Sequence, residues 1–154
     1  MSKKSMTLLV LVLTVVWTPS ALAQAAKKEI LGISVGMNRT DALARLEQIG
    51  RREKEERKQQ EVWILDNDPR FSHLIVAFTK GYGEVRYVTA KARDCAHVRY
   101  QDVLDLTKAK QMGAPNNNKY VLEIPAAGQT PGYVMMARGT DPSFLTYLSI
   151  ERGN

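Results

Sequence analysis

The fold of this chain is indicated most clearly by residues 61–93, EVWILDNDPRFSHLIVAFTKGYGEVRYVTAKAR. Two short apolar runs, 62–65 and 74–78, are bounded by Asp, Asn, Pro and Gly residues, and the run 85–90 is rich in β-branched and aromatic residues. Residues 81–83, Gly-Tyr-Gly, are a compact connection that suits a hairpin between the last two runs. The segment therefore predicts three consecutive strands.

An amphipathic helix is predicted before these strands. Asn38 is a suitable N-cap, Asp41 places a carboxylate near the helix N-terminus, and Gly50 is a natural C-terminal stop. The apolar positions that recur at helical spacing are Ala42, Leu43, Leu46 and Ile49. Residues 51–60, RREKEERKQQ, contain no apolar residue and suit either a solvated helical extension or, as we favour because Gly50 interrupts the helix, an exposed strand or ribbon.

The C-terminal half has a similar pattern. From Tyr100, the residues Val103, Leu104, Thr107 and Met112 predict a second amphipathic helix, which the Gly-Ala-Pro sequence at 113–115 would end. Three more strands are predicted at 120–124, 133–137 and 145–150.

The order helix, three strands, helix, three strands predicts an α+β domain of two tandem α-βββ halves, at about 30–93 and 94–154. Residues 85–90, VRYVTA, align with residues 145–150, LTYLSI, without a gap. We expect an antiparallel sheet with both helices packed on one face. The strand residues expected beneath the helices are Val88, Ala90, Leu148, Ile150, Val76, Phe78, Trp63 and Leu65.

Three tyrosines are the candidate binding residues. Strand alternation places Tyr87 and Tyr147 at matched positions on the opposite face of the sheet, and Tyr133 and Met135 are expected to join them. A solvated sheet face that carries tyrosines suits protein binding, because the ring contributes apolar area at low entropic cost while its hydroxyl tolerates water. The alternative is that these tyrosines lie under a second packing layer or at sheet edges.

The first 23 residues have the pattern of a signal peptide. Lys3 and Lys4 provide a positive start, residues 6–17 are mostly apolar, and Ala21-Leu22-Ala23 is a small-x-small cleavage sequence. The apolar run is shorter than the ~20 residues that a membrane-spanning helix needs. We therefore expect cleavage after Ala23, and a single periplasmic or secreted domain at 24–154 without an integral membrane anchor.

Charge and cysteine content narrow the function classes. The chain has 154 residues and a formal charge of +6, which falls to +4 without Lys3 and Lys4. The basic residues are spread along the chain, so nucleic-acid binding is not supported, although binding to an anionic surface remains an alternative. Cys95 is the single cysteine, so no internal disulfide can form and stability must come from the packed core.

Residues 94–97, Asp-Cys-Ala-His, are the one cluster that invites a catalytic interpretation, because a thiolate beside an imidazole is the starting point of cysteine nucleophiles. A zinc site would need His73 and a distant carboxylate at no recognisable spacing, so we predict neither metal nor cofactor. We favour a linker in which Asp94 caps a turn. A small secreted hydrolase or thiol-dependent enzyme centred on Cys95 and His97 is the alternative to a protein without enzymatic activity.

Residues 33–46, ISVGMNRTDALARL, followed after Gly50 by a strand-rich run, resemble the small bacterial envelope domains of the outer-membrane assembly lipoprotein and β-lactamase inhibitory protein type. Those domains begin with a Gly-Met turn, here Gly36-Met37, and a short helix that ends in glycine; the inhibitory proteins contain two such units in tandem. The resemblance implies a non-enzymatic binding module outside the cytoplasm, with a protein partner in the envelope or the extracellular space. Gln24 stands where a lipoprotein has its cysteine, so lipid anchoring is not carried over.

Overall fold

The computed structural model describes residues 28–53, 60–81, 83–129 and 131–153. The predicted signal peptide, most of the charged run 51–60, and Tyr82 in the predicted hairpin connection lie outside these residues. The elements in chain order are β1 (Glu29–Ile30), β2 (Ile33–Ser34), α1 (Arg39–Ile49), β3 (Arg51–Arg52), β4 (Gln60–Ile64), β5 (Phe71–Phe78), β6 (Val85–Ala92), β7 (Lys110–Ala114), β8 (Asn117–Ile124), β9 (Tyr133–Gly139) and β10 (Tyr147–Arg152).

Strands β3 to β10 form one antiparallel sheet in the order β3-β4-β5-β6-β10-β9-β8-β7, while β1 and β2 pair separately. The large sheet consists of two four-stranded meanders, β3–β6 and β7–β10, which are joined where their last strands, β6 and β10, pair. The six predicted strands are present, with boundaries that shift by a few residues. The predicted antiparallel sheet is therefore confirmed.

Helix α1 begins and ends where the sequence predicts. The Asn38 side chain accepts a hydrogen bond from the Asp41 amide at 2.9 Å, and the Gly50 amide donates to the Leu46 carbonyl at 3.0 Å. Gly50 also allows β3 to approach β4 closely, because a Cβ at this position would lie 2.4 Å from the Ile64 carbonyl oxygen. The adjoining Arg51–Arg52 pair is an exposed strand, as expected for the start of the charged run.

The predicted second helix is wrong. Residues Tyr100–Asp102 form only a 3-10 turn, and Lys110–Ala114 is strand β7. Between them the Asp105 carboxylate accepts hydrogen bonds from the Thr107 amide at 3.1 Å and from its hydroxyl at 2.6 Å, which stabilises a turn in place of continuing helix. The described part of the C-terminal half thus has no α-helix, and a single helix packs on the sheet.

The Gly-Ala-Pro sequence, expected to end that helix, belongs to a hairpin. Pro115 and Asn116 connect β7 to β8, and Asn116 has a φ of 63°, which asparagine tolerates better than most residues. A Cβ on Gly113 would lie 2.2 Å from the Asn117 carbonyl oxygen, so glycine is needed for the two strands to pair.

The hydrophobic core lies on one face of the sheet, beneath α1, the β1–β2 hairpin and the 3-10 turns. The strand residues predicted to be buried there are all 5% exposed or less, which confirms that prediction. Ala42 and Leu46 of α1 and Ile33 of β2 pack against them. Among the described residues, no helix is long and apolar enough to cross a membrane.

Candidate binding face

The opposite side of the sheet, which we call the open face, is organised in three rows that follow the pairing register from strand to strand. The basic row contains Arg51, Ile64, His73, Lys91, Tyr147, Arg138, Lys119 and Met112. The central row contains Val62, Ile75, Thr89, Ser149, Met136, Val121 and Lys110. The acidic row contains Gln60, Ala77, Tyr87, Glu151, Val134 and Glu123. Apart from Ala77, each of these residues is at least partly exposed.

Two of the three candidate tyrosines lie on the open face. Tyr147 is in the basic row, where the Arg138 guanidinium lies 4.9 Å from the centre of its ring. Tyr87 is in the acidic row, and the Arg86 guanidinium lies 5.4 Å from its ring centre. Each ring is half-buried and lies within cation–π distance of an exposed arginine, which favours its observed orientation.

The predictions for Tyr133 and Met135 are wrong. Tyr133 is 5% exposed and lies on the core face with Met135, because Ala137 in the same alternation pairs with the buried Leu148. Burial raises the pKa of the Tyr133 hydroxyl above its ordinary value. The signal that places it is the pairing of β9 with β10: once Leu148 and Ile150 are assigned to the core, their partners Ala137 and Met135 must follow.

The centre of the open face is the junction of the two meanders. There the Thr89 and Ser149 hydroxyls are hydrogen-bonded at 2.9 Å across β6 and β10. This bond uses one donor and one acceptor, so it satisfies part of the hydrogen-bonding capacity of the two hydroxyls. Val62, Ile75, Met136 and Val121 extend the central row to both sides with apolar side chains.

Apart from Lys110 in the central row, the charges of the open face are separated by row. Within the described residues, the side chains of Lys91, Lys119 and Arg138 have no carboxylate partner, and Glu123 and Glu151 have no cationic one. Arg138 is moreover paired directly opposite Lys119. Like charges in that position destabilise a sheet. The Arg138–Lys119 pair therefore lowers the stability of the sheet.

The Cys95 and His97 cluster lacks the geometry of a nucleophile and its base. Cys95 is exposed in the 3-10 turn Asp94–Ala96, and His97 has a φ of 46° and its ring edge-on to Phe144 at 4.9 Å. No hydrogen bond joins Cys95 to His97 in the described chain. The described residues also contain no group of three or more His, Cys, Asp or Glu side chains that could hold a metal ion.

A shallow groove of about 620 Å³ lies near the N-terminus of α1, and sequence reasoning did not find it. Its lining residues are Lys28, Ser34, Val35, Gly36, Met37, Asn38, Asp41, Glu84, Gln129, Pro131 and Arg152. Two of its charged side chains, Arg152 and Glu84, lie 3.7 Å apart, and the Asn38 side chain already caps the helix. The groove thus has less to offer a ligand than the open face.

Comparison of the chain with protein-family models, with curated proteins and with solved structures finds no match.

Proposed function

We propose that this chain is an exported, non-enzymatic module that binds a protein partner through the open face of its sheet. The observation that carries the proposal is the extent of that face: three rows of partly exposed side chains cross the large sheet, and no residue of the basic or central row is buried. A sheet of this kind is usually packed on one side and solvated on the other. Here the solvated side is rich in residue types that are common in protein–protein interfaces.

The composition of the open face suits a protein partner. Tyr87, Tyr147, Met136 and Arg138 belong to the residue types that are enriched in protein interfaces. Both tyrosines are held by arginines, so their ordering on binding costs little entropy. The central row adds apolar area between two strips of opposite charge, a pattern that selects a partner by shape and by charge together.

Export is supported by the pattern of the first 23 residues and by the resemblance of residues 33–46 to envelope domains. The domain gains nothing from an internal disulfide, since it has the single cysteine Cys95. Its buried core supplies the stability that a small exported domain needs. A periplasmic or secreted location follows from this proposal.

We also infer that the two meanders are copies of one unit, in keeping with the tandem units of the inhibitory proteins that the chain resembles. The run 85–90 aligns with 145–150, so Thr89 corresponds to Ser149, and these two residues pair with each other. Val88 pairs with Ile150 and Ala90 with Leu148, as a two-fold axis through Thr89 and Ser149 requires. Tyr87 and Tyr147 are then equivalent positions.

The test is capture by the immobilised protein from envelope and culture-medium fractions of an expressing bacterium. We expect Tyr87→Ala with Tyr147→Ala to abolish capture of the partner that wild type retains, while the far-ultraviolet circular dichroism stays unchanged. Glu47→Ala with Gln101→Ala is the matched control, because both residues are exposed outside the open face. Equal capture by the tyrosine variant and the control would refute the proposal.

A further inference from the structure

We propose that the partner of the open face is a second copy of this chain, packed face to face about a two-fold axis that runs along the central row. The inference rests on the proposed function, since it uses the same face, and it adds the identity of the partner. The argument for a second copy comes from the positions of the charged residues of the basic and acidic rows along each strand.

The two-fold axis exchanges the outer rows. Rotation about the central row places each basic-row residue of β4, β5, β6, β8, β9 and β10 over the acidic-row residue of the same strand in the second copy, because the two lie four residues apart on one face. On β8 this brings Lys119 over Glu123. On β10 it brings the Tyr147 hydroxyl over the Glu151 carboxylate. Each contact occurs twice in the dimer.

Arg138 would also lie near opposite charges of the second copy. It lies on β9 and would face Val134 of the second copy, with Glu123 and Glu151 on the neighbouring strands about 4.8 Å to either side. The directly opposed cations Arg138 and Lys119 would thus meet two carboxylates, and all four groups lack an ion pair within the described part of one chain. Pairing relieves the like-charge contact that a single copy retains.

The charges select this arrangement over the alternative two-fold packing. An axis parallel to the strands through the β6–β10 junction would place Lys119 opposite Ile64, Arg138 opposite His73 and Glu123 opposite Gln60, so none of these charges would gain an oppositely charged partner. The chosen axis places the central row on itself, so Met136 and Val121 meet their own copies across the interface. The exposed Lys110, at the end of this row on edge strand β7, is the one cation of the central row that is brought towards its own copy. Such packing resembles that of two aligned sheets about 10 Å apart, with the half-exposed side chains becoming a second core.

The same rows disfavour a uniformly anionic occupant. A membrane surface or a polyanion that contacts Lys119 and Arg138 would also approach Glu123 and Glu151 on the same face. It would gain nothing from Val121 and Met136 in the central row. A second copy supplies opposite charges to Lys119 and Glu123 and apolar contacts to Val121 and Met136.

Charge reversal tests the proposal by sedimentation equilibrium of the full chain, purified as the cell processes it. We expect wild type to be dimeric, and Lys119→Glu or Glu123→Lys alone to raise the dimer dissociation constant at least about tenfold, since each creates two like-charge contacts. An equimolar mixture of these two variants should recover the dimer, because every contact then joins opposite charges. The doubly substituted chain should recover it also.

Recovery in the mixture is diagnostic of contact between copies. Residues 119 and 123 lie about 13 Å apart along β8, too far to pair within one chain. Glu47→Lys is the matched control, because Glu47 is exposed on α1 and has no ion pair among the described residues, and it should stay dimeric.

A monomeric wild type at its highest soluble concentration would overturn the proposal, as would a mixture that stays monomeric. Binding to phosphatidylglycerol vesicles that Lys119→Glu abolishes and Glu123→Lys strengthens, with no dimer formed, would assign the face to an anionic surface. If wild type is monomeric but capture of another protein still requires Tyr87 and Tyr147, the dimer proposal is refuted, whereas the proposed function is supported.

Discussion

Glu61 is a buried carboxylate at the point where α1, β3 and β4 meet, and its surroundings explain why a charge is retained there. It is 4% exposed and accepts hydrogen bonds from Arg39 at 2.9 Å and from the Trp63 indole at 3.3 Å, with Arg52 at 3.2 Å. The two guanidinium groups are about half-exposed, so they keep part of their hydration while neutralising the carboxylate. The ion pairs therefore connect the helix to the sheet edge without isolating a charge.

We predict that Glu61→Ala lowers the free energy of unfolding by about 1–3 kcal/mol, because the buried Trp63 N–H would lose its acceptor. The freed arginines can hydrate, which limits the loss. Glu61→Gln should cost less, since its amide oxygen can still accept from the indole. Urea unfolding followed by circular dichroism measures the difference, and equal stability of the alanine variant and wild type would contradict this role.

Tyr133 shows that the sequence of a single strand does not determine which of its two faces is buried. Alternation within β9 is readable from the sequence, but which of its two faces is buried depends on its register with β10. Tyr87 and Tyr147 were placed correctly because VRYVTA and LTYLSI have apolar alternation of their own. The open-face rows, in contrast, exist only through pairings such as Arg138 with Lys119, which no local pattern reports.

At the scale of elements, the local sequence pattern predicts a helix or strand that packs against the core, but it does not predict one that stays exposed. Helix α1 has its cap and its stop, and β5 and β6 have buried residues in alternation. Strand β7 is exposed along its whole length, so it has no period-two pattern to reveal it. The spacing of Val103, Leu104 and Met112 predicts a helix. In the structure Val103 and Leu104 pack on the core, whereas Met112 is 44% exposed on the edge strand β7.

The β7–β8 hairpin depends on Gly113 more than on burial. Its φ of 150° is strained for other residues, and a Cβ would meet the Asn117 carbonyl. We predict that Gly113→Ala speeds amide exchange of residues 110–119 while the core strands β6 and β10 keep their protection, because β7 contributes no buried residue. Exchange monitored by mass spectrometry checks this, with Ala114→Gly as the control that adds no side chain. Unchanged exchange in the Gly113 variant would contradict it.

At the scale of the whole molecule, two meanders share one core although α1 packs against only one side of it. In the C-terminal half the 3-10 turns take the place of the missing helix: Tyr100 is buried, and its hydroxyl donates to the Asp141 carbonyl at 3.1 Å. Burial, with smaller contributions from Tyr120 and Asp141, raises the pKa of Tyr100. Tyr133, at the far end of β9, also has a pKa raised by burial. The free energy of unfolding should therefore depend on pH in the alkaline range, through these two buried phenols.

The sign of this dependence follows from linkage. Both tyrosines hold their protons more tightly in the folded chain, so their contribution to stability is complete below the ordinary tyrosine pKa of about 10 and is lost as pH rises through the raised folded values. We predict that the free energy of unfolding declines above about pH 10 and that Tyr100→Phe with Tyr133→Phe makes the decline shallower. Urea unfolding at a series of pH values measures both. A decline of the same steepness in the double variant would mean that groups other than these two phenols control alkaline stability.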